Sequence, residues 1–285
     1  MSRTRWAIRL AFVLWGGAPT IHWNRAWLRF SSTGGLNRLT SYANRADRDI
    51  QVVILAGGLG TRVSHLWPGK PKSLIPVAGQ PFIGHQLRLL AANGLHRVTL
   101  CIGFGAEAVQ EYVGDGRRWD MEVTYSHEDS EDLAGTGGAL VRALPLLNGH
   151  FLVIYGDAYL PVDYKAAIGA FLSQPLPAMM CVFRNRNRWD RSNAEVREGK
   201  VVRYSKQGTA DQFEFIDYGM NFFRRSVIES YRNCPQPFDL ALIQSDLARQ
   251  GKLAAYEVFT RFYEIGSPEG VEQLEWYLSD RRTEE

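Results

Sequence analysis

The residues best suited to chemistry lie in one short segment, a glycine cluster followed by basic side chains. The cluster, Gly57–Gly60, comes directly after an apolar run. Glycine lets backbone N–H groups point at phosphate oxygens without obstruction by a side chain. Arg62 can donate a pair of hydrogen bonds to phosphate, and Pro71 fixes the backbone before Lys72, whose ammonium presents a point charge. These residue types at this spacing predict a loop that wraps a nucleoside triphosphate.

Two other phosphate-binding loops do not match this segment. A dinucleotide-binding motif would need glycine where the chain has Val63, and an acidic residue closing a second strand about 20 residues further on. A P-loop ending at Gly69-Lys70 would need glycine in place of Ser64 and serine or threonine in place of Pro71. The remaining structural interpretation is a tight strand-to-helix turn followed by a solvated basic loop.

The elements that must position this loop alternate between strand and helix. QVVILA (51–56) has the continuous apolar character of a buried strand and leads directly into the glycines. Further strands are predicted at 97–103, 121–126, 150–157 and 178–184, and helices at 81–94, 106–114, 136–147 and 164–174. This alternation predicts an α/β fold, a three-layer Rossmann-like arrangement with a mainly parallel central sheet. The nucleotide would lie over the carboxyl ends of the strands.

Beyond residue 184 the order of the elements changes. The pattern there predicts a hairpin at 193–206, a strand region at 213–225, and helices at 238–251 and 267–282. Glu198-Gly199 marks the turn of the hairpin. Ser267 is placed to cap the last helix, with Pro268 in its first turn.

The distribution of charge excludes one class of function. The 285-residue chain has a formal net charge of +3, but residues 1–49 contain eight arginines against Asp47 and Asp49. Residues 50–285 are therefore slightly acidic, and nucleic-acid binding is not expected of them. We interpret residues 1–49 as a basic N-terminal extension, either disordered or non-native, and residues 50–285 as the domain that carries the function.

Neither membrane insertion nor disulfide bonding is expected. The longest apolar stretch, residues 7–18, is interrupted by Arg9 and is too short to span a bilayer. The three cysteines, Cys101, Cys181 and Cys234, form no C-x-x-C pair and are odd in number. They favour a reducing, cytoplasmic location.

The glycine loop is one of several motifs that occur in a fixed order. They are LAGGLGTR (55–62), KPKSLIPVAGQPF (70–82), LAGTGGAL (133–140), VIYGD (153–157), VVRYSK (201–206), FIDYGMNFF (215–223) and FYEIGSPEG (262–270). Together they resemble the signature of the sugar-1-phosphate nucleotidyltransferases, also called nucleotide-sugar pyrophosphorylases, from Gln51 to Tyr277. The short catalytic domain, without a C-terminal β-helix, is most similar to the heptose-, mannose- and N-acetylmuramate-1-phosphate nucleotidyltransferases.

The resemblance implies that a sugar 1-phosphate attacks the α-phosphorus of a nucleoside triphosphate and that pyrophosphate leaves. Such a reaction needs charge neutralisation and in-line positioning, with no protein nucleophile. Arg62 and Lys72 would be the catalytic residues, because they would stabilise charge on the triphosphate. The nucleotide would bind at the positions that match the family motifs, Leu55, Ala56, Gly57, Gly58, Gly60, Thr61, Gly135 and Thr136.

The same resemblance implies a metal site and a sugar site. Asp157 matches the metal-binding aspartate of the family, and Glu264 matches a second carboxylate where most relatives have aspartate. Two carboxylates suit Mg²⁺, which keeps several water ligands. The sugar phosphate would meet Lys206, and the sugar would be held by Asn193, Asp217 and Gly219.

The base, the sugar and the oligomeric state stay open at this point. The acidic run SHEDSED (126–132) precedes Gly135-Thr136, and a carboxylate can accept two hydrogen bonds from guanine but only one from uracil. GTP with heptose or mannose 1-phosphate is therefore favoured, and a solvated acidic loop is the other interpretation of the run. A UTP- or dTTP-using enzyme and a non-catalytic, nucleotide-sugar-binding regulatory subunit remain alternatives. A glycosyltransferase would want Asp-x-Asp, where the chain has Asp157-Ala158-Tyr159. A homo-oligomer is compatible with all of them.

Overall fold

The centre of the fold is a nine-stranded sheet. A computed structural model describes residues 50–58, 67–207 and 213–282 of the chain. Strands and helices are numbered in chain order. From one edge to the other, the sheet consists of β5 (Glu122–His127), β4 (Arg97–Ile102), β1 (Gln51–Leu55), β6 (His150–Tyr155), β11 (Phe215–Arg224), β8 (Ala178–Arg184), β12 (Leu253–Val258), β10 (Lys200–Tyr204) and β9 (Ala194–Arg197).

Helices cover both faces of the sheet. Successive side chains of a strand point to opposite faces, so Val52 and Ile54 of β1 belong to one apolar core and Val53 and Leu55 to the other. The first core is covered by α1 (Phe82–Ala92), α2 (Ala106–Val113) and α4 (Tyr164–Ser173), and the second by α3 (Gly135–Ala143), α5 (Arg225–Glu229) and α6 (Leu240–Arg249). This arrangement confirms the predicted three-layer α/β fold.

Most strands of the sheet run in one direction, as predicted. Strands β5, β4, β1 and β6 pair in parallel, and so do β8 and β12. Strands β10 and β11 run against all the others. The carboxyl ends of β1, β4 and β6 therefore lie at one edge, and the segments that follow them meet there.

Two short strand pairs lie beside the main sheet. One consists of β2 (Pro76–Val77) and β3 (Gln80–Pro81), and the other of β7 (Ala158–Tyr159) and β13 (Tyr263–Glu264). The last helix, α7 (Pro268–Arg282), places its buried Leu274 in an apolar cluster with Val77 of the first pair and Tyr159 of the second. The first pair follows the turn at Lys72, and the second begins directly after Asp157.

The predicted turn and cap in the C-terminal half are both present. Glu198 and Gly199 have positive φ angles of 48° and 71° and join β9 to β10. Ser267 Oγ accepts a hydrogen bond from the Gly270 N–H at 3.1 Å, which caps α7. Among the helices described, none combines the length and the apolar character that crossing a bilayer requires. The predicted extension at residues 1–49 lies outside the described residues and stays a prediction.

Candidate active site

A cavity of about 330 Å³ opens at the carboxyl ends of β1, β4 and β6. Its walls come from the start of the glycine loop, the Lys72 turn, the end of β4, the acidic segment after β5, the start of α3 and the end of β6. The lining residues that the sequence singled out are Leu55, Ala56, Gly57, Gly58, Lys72, Gly135, Thr136 and Asp157. The structure thus brings together residues that are up to 102 positions apart in the chain.

Part of the predicted nucleotide site cannot be compared with the structure. Gly60, Thr61 and Arg62 belong to the segment 59–66, which lies outside the described residues. Their assignment to the triphosphate stays a prediction. Gly57 and Gly58, which precede that segment, lie at the cavity wall.

The start of α3 is held against the start of α6. Gly135 has a φ of 75°, and a Cβ atom there would lie 2.5 Å from the Phe238 carbonyl oxygen, so only glycine fits without strain. The same carbonyl accepts the Gly137 N–H at 3.0 Å. Thr136 Oγ1 accepts the Leu240 N–H at 2.8 Å. The amino ends of two helices therefore meet beside the cavity, where their dipoles favour an anion.

Lys72 and Asp157 form an ion pair inside the cavity. Lys72 Nζ lies 2.5 Å from Asp157 Oδ2, and the two side chains are 14% and 29% exposed. Lys72 begins a short 3-10 turn that is closed by the Leu74 N–H bonding to the Pro71 carbonyl at 2.9 Å. Asp157 stands between β6 and β7, where the ladder of the main sheet has ended. The predicted catalytic lysine and a predicted metal ligand are thereby in direct contact.

The second predicted metal ligand lies on the strand that pairs beside Asp157. In the β7–β13 pair Glu264 stands opposite Ala158, and the Ile265 N–H donates to the Asp157 carbonyl at 3.0 Å. Within the described residues, no three His, Cys, Asp or Glu side chains converge on one point. Glu264 is not among the described residues that line the cavity, so its sharing of a Mg²⁺ ion with Asp157, which would suit a cation that takes few protein ligands and keeps its water, stays a prediction.

One carboxylate of the acidic run lines the cavity. The side chain of Glu128 is 5% exposed, and its Oε1 accepts the Ala134 N–H at 3.0 Å. The Arg142 guanidinium lies 3.9 Å from the same oxygen. Burial raises the pKa of Glu128, although the hydrogen bond from Ala134 and the charge of Arg142 act in the other direction. The other acidic residues of the run, Asp129, Glu131 and Asp132, are exposed.

Lys206, the residue predicted to meet the sugar phosphate, is held by a carboxylate that the sequence did not single out. Its Nζ lies 2.9 Å from both oxygens of Asp239 and 5.9 Å from the ring centre of Tyr155. Asp239 also accepts the Ala241 N–H at 2.8 Å and a hydrogen bond from Thr136. These hydrogen bonds outweigh the effect of burial and lower the pKa of Asp239. Asp239 therefore links the predicted nucleotide residue Thr136 to Lys206.

The predicted sugar residues form a buried polar network next to the cavity. Asn193 Oδ1 accepts the Asp217 N–H at 2.8 Å, and Asp217 Oδ1 accepts the Gly219 N–H at 2.9 Å. Gln244 Nε2 donates to Asp217 Oδ2 at 2.9 Å. Burial raises the pKa of Asp217. Burial, with a further contribution from the charge of Asp217, also raises the pKa of Tyr155, which lines the cavity. The structure thus brings these residues together, and their contact with a sugar stays a prediction.

Sequence reasoning missed several residues of this site. Tyr155 lies inside the quoted motif VIYGD, so its position at a strand end was the available signal. The only sequence signal for Asp239 was its position at the start of a predicted helix, and in the structure it caps the amino end of α6. Glu128 could not be told from the three other acidic residues of its run before the fold was known.

A known protein family matches the part of the chain in which most of the motifs lie. The family described as Nucleotidyl transferase matches residues 51–229. N-acetylmuramate alpha-1-phosphate uridylyltransferase of Neisseria meningitidis is 35% identical over 127 residues, which are 44% of this chain and 54% of that protein. Glucose-1-phosphate cytidylyltransferase of Salmonella typhimurium is 26% identical over 229 residues, 73% of this chain and 88% of that protein.

A solved structure extends the likeness to the whole domain. HddC from Yersinia pseudotuberculosis, in its complex with GMP-PN, is 25% identical and superposes with a TM-score of 0.67. The superposition covers 80% of this chain and 99% of that chain. The curated relative from Neisseria is matched over about half of its length.

Proposed function

The chain belongs to the nucleotidyl transferase family, and from that premise we propose that it transfers a nucleoside monophosphate from a nucleoside triphosphate to a sugar 1-phosphate. Pyrophosphate is the second product. The observation that carries the proposal is the Lys72–Asp157 pair inside the cavity, beside Gly57, Gly58 and the amino end of α3. A cation and a metal-type carboxylate beside a glycine loop and the amino end of a helix suit a triphosphate.

The chemistry consists of one displacement at phosphorus. A phosphate oxygen of the sugar 1-phosphate forms a bond to the α-phosphorus, and the bond from that phosphorus to the pyrophosphate oxygen breaks. Lys72 stabilises the charge that builds up on the departing pyrophosphate, and Lys206 orients the attacking phosphate. Asp157 and Glu264 would hold Mg²⁺, which neutralises charge on the phosphates when bound.

Cys101 lines the cavity, but burial raises its pKa to about 12, so it remains a thiol and does not act as a nucleophile.

We favour guanine as the base because of the position of Glu128. Its carboxylate lines the cavity and uses one oxygen for the Ala134 N–H, so acceptor sites remain for a ligand. The Watson–Crick edge of guanine offers two neighbouring N–H donors to a carboxylate. Uracil offers one N–H between two carbonyl oxygens, which would face the negative charge. Heptose or mannose 1-phosphate as the acceptor rests on the motif resemblance alone.

A uridine nucleotide is the second candidate. The relative from Neisseria, at 35% identity, is a uridylyltransferase. Four triphosphates crossed with a set of sugar 1-phosphates, with pyrophosphate release as the readout, test the proposal. We expect turnover with GTP and mannose or heptose 1-phosphate. Preference for UTP or dTTP would overturn the choice of base. Binding of nucleotide sugar without pyrophosphate release from any pair would support a regulatory subunit instead.

Glu128→Gln should lower kcat/KM for GTP by about 10–100-fold, because a hydrogen bond to a charged group contributes about 1.5–3 kcal/mol. The amide keeps the oxygen that accepts the Ala134 N–H, so the fold should be retained. The loss with UTP should be smaller, and the GTP/UTP ratio is the quantity to measure. Glu131→Gln is the matched control, since Glu131 is an exposed carboxylate of the same run. Equal losses with GTP and UTP would show that Glu128 does not read the base.

Residues 1–49 should be dispensable for catalysis. Every motif lies beyond Ile50, and so does every cavity residue within the described part of the chain. A chain that begins at Arg48 is expected to keep kcat and both KM values within about twofold, since distant and independent changes have small effects. Circular dichroism should show an unchanged folded domain. A shortened chain that folds normally but loses turnover would contradict this prediction.

A further inference from the structure

A buried glutamine outside the proposed site holds the backbone on both sides of Asp157. Gln86 lies on α1 and is 2% exposed. Its Nε2 donates to the Tyr155 carbonyl at 2.9 Å and to the Ala158 carbonyl at 2.7 Å. One side-chain amide therefore uses both of its N–H bonds on the two residues that enclose Gly156 and Asp157.

These bonds occur where regular structure is missing. Strand β6 ends at Tyr155 and β7 begins at Ala158, so the connecting turn has no ladder of its own. The turn is otherwise tied by the Gly156 N–H to the Leu55 carbonyl at 2.9 Å, and by the Ile265 N–H to the Asp157 carbonyl at 3.0 Å. Gln86 holds the same turn from α1. Buried carbonyl groups need a hydrogen-bond donor, because leaving one unpaired is costly.

Packing alone does not account for a glutamine at this position. Its Oε1 is buried and has no hydrogen-bond partner among the described residues. A methionine or leucine of similar volume would fill the space without an unpaired buried oxygen. The amide contributes to the structure through its two N–H hydrogen bonds, and both hold the turn that contains Asp157.

We propose that Gln86 is a positioning residue that holds Asp157 in the geometry required of a metal-binding carboxylate. The proposal rests on the proposed function, in which Asp157 is a metal ligand. Outer-shell partners of metal ligands typically change metal affinity or activity by about 10–100-fold when they are removed. Gln86 differs from such partners in acting through the backbone of Tyr155 and Ala158, the residues that flank the Gly156–Asp157 turn.

The test compares two buried glutamines. Gln86→Met removes the two donors, and Gln51→Met is the matched control. Gln51 is 7% exposed and donates to Thr99 Oγ1 at 2.7 Å and to the Leu146 carbonyl at 2.9 Å. It stands at the opposite end of β1 from the cavity. Gln51 Oε1 also accepts the Asn148 N–H at 2.8 Å, so Gln51→Met loses one hydrogen bond more than Gln86→Met. Both variants should therefore lose thermal stability, but only Gln86 bonds to the turn that contains Asp157.

Mn²⁺ binding to the folded proteins, measured by electron paramagnetic resonance with and without triphosphate, is the first readout. The second is the division of any activity loss between kcat and KM. We expect Gln86→Met to weaken Mn²⁺ binding and lower kcat by about tenfold each, with the KM for sugar 1-phosphate unchanged. Gln51→Met should change neither. Gln86→Leu, which also removes both donors without burying a charge, should reproduce the loss if the methionine variant does not fold.

Parallel measurement of Asp157→Asn separates two kinds of failure. If Asp157→Asn loses Mn²⁺ binding and the Gln86 variants do not, the positioning role is overturned while the proposed function stands. If Asp157→Asn binds Mn²⁺ normally, the metal role of Asp157 is wrong, and the role of Gln86 falls with it. Equal losses of Mn²⁺ binding and kcat in the Gln86 and Gln51 variants would mean that general destabilisation of the fold causes the effect. That result would also overturn the proposal.

Discussion

Replacing Asp157 with asparagine is expected to lower kcat for pyrophosphate release by about 10²–10³-fold, the usual effect of losing one transition-state electrostatic contact. The side chain is 29% exposed at the end of a strand, and asparagine has the same size, so the fold should survive. The substitution removes a negative charge from the proposed Mg²⁺ site and from its contact with Lys72. Contacts of the triphosphate with the glycine loop remain, so KM should change much less than kcat.

Steady-state pyrophosphate release at saturating Mg²⁺, with circular dichroism of each variant, is the measurement for Asp157. Glu264→Gln serves as the companion variant and should act in the same direction, with an equal or smaller loss. Near-normal kcat for folded Asp157→Asn would mean that this residue is no metal ligand. The regulatory-subunit and glycosyltransferase interpretations would then have to be reopened.

Lys72→Met should also lower kcat by about 10²–10³-fold, for a different reason. Among the described residues, Lys72 is the cation that both contacts Asp157 and lines the cavity. Without it, charge on the departing pyrophosphate loses a partner, and Asp157 is left without its counter-ion. Lys72→Arg should not restore activity, because a planar guanidinium differs from a compact ammonium in shape and reach.

Lys70 provides the control for Lys72. It is exposed, lies two residues earlier on the same loop, and carries the same charge. Lys70→Met should therefore keep kcat within about twofold, since exposed charges act weakly through solvent. Full activity of folded Lys72→Met would contradict its catalytic role. The double variant with Asp157→Asn should lose less than the product of the single losses, because the two residues act as a unit.

Local patterns were sufficient for most of the fold. The unbroken apolar strands β1 and β6 and the amphipathic helix α1 agree with the sequence interpretation to within two residues at each end. Glycine with positive φ at Gly199 and the Ser267 cap are signals that depend only on neighbouring residues. Such features could be predicted because short-range sterics and hydrogen bonds determine them.

Elements whose stability comes from distant partners were not predicted. Strand β12, LAAYEV, contains two alanines and a glutamate, which do not favour a strand. It forms because β8 offers a parallel partner along six residues, from Leu253 opposite Ala178 to Val258 opposite Phe183. The two-residue pair of β7 and β13 is another such case, and it sets Glu264 opposite Ala158, the residue after Asp157.

The sequence by itself determined the chemistry that this protein can offer, namely a glycine loop, basic residues after it and acidic residues at the ends of strands. Only the tertiary structure decided which of these side chains meet. Lys72 and Asp157 are 85 residues apart, and Glu128 was one of four equivalent acids in its run. Gln86 had no sequence signal at all. The physical reason is that parallel strands carry distant segments to one edge of the sheet, and strand register and helix packing then set the atomic contacts.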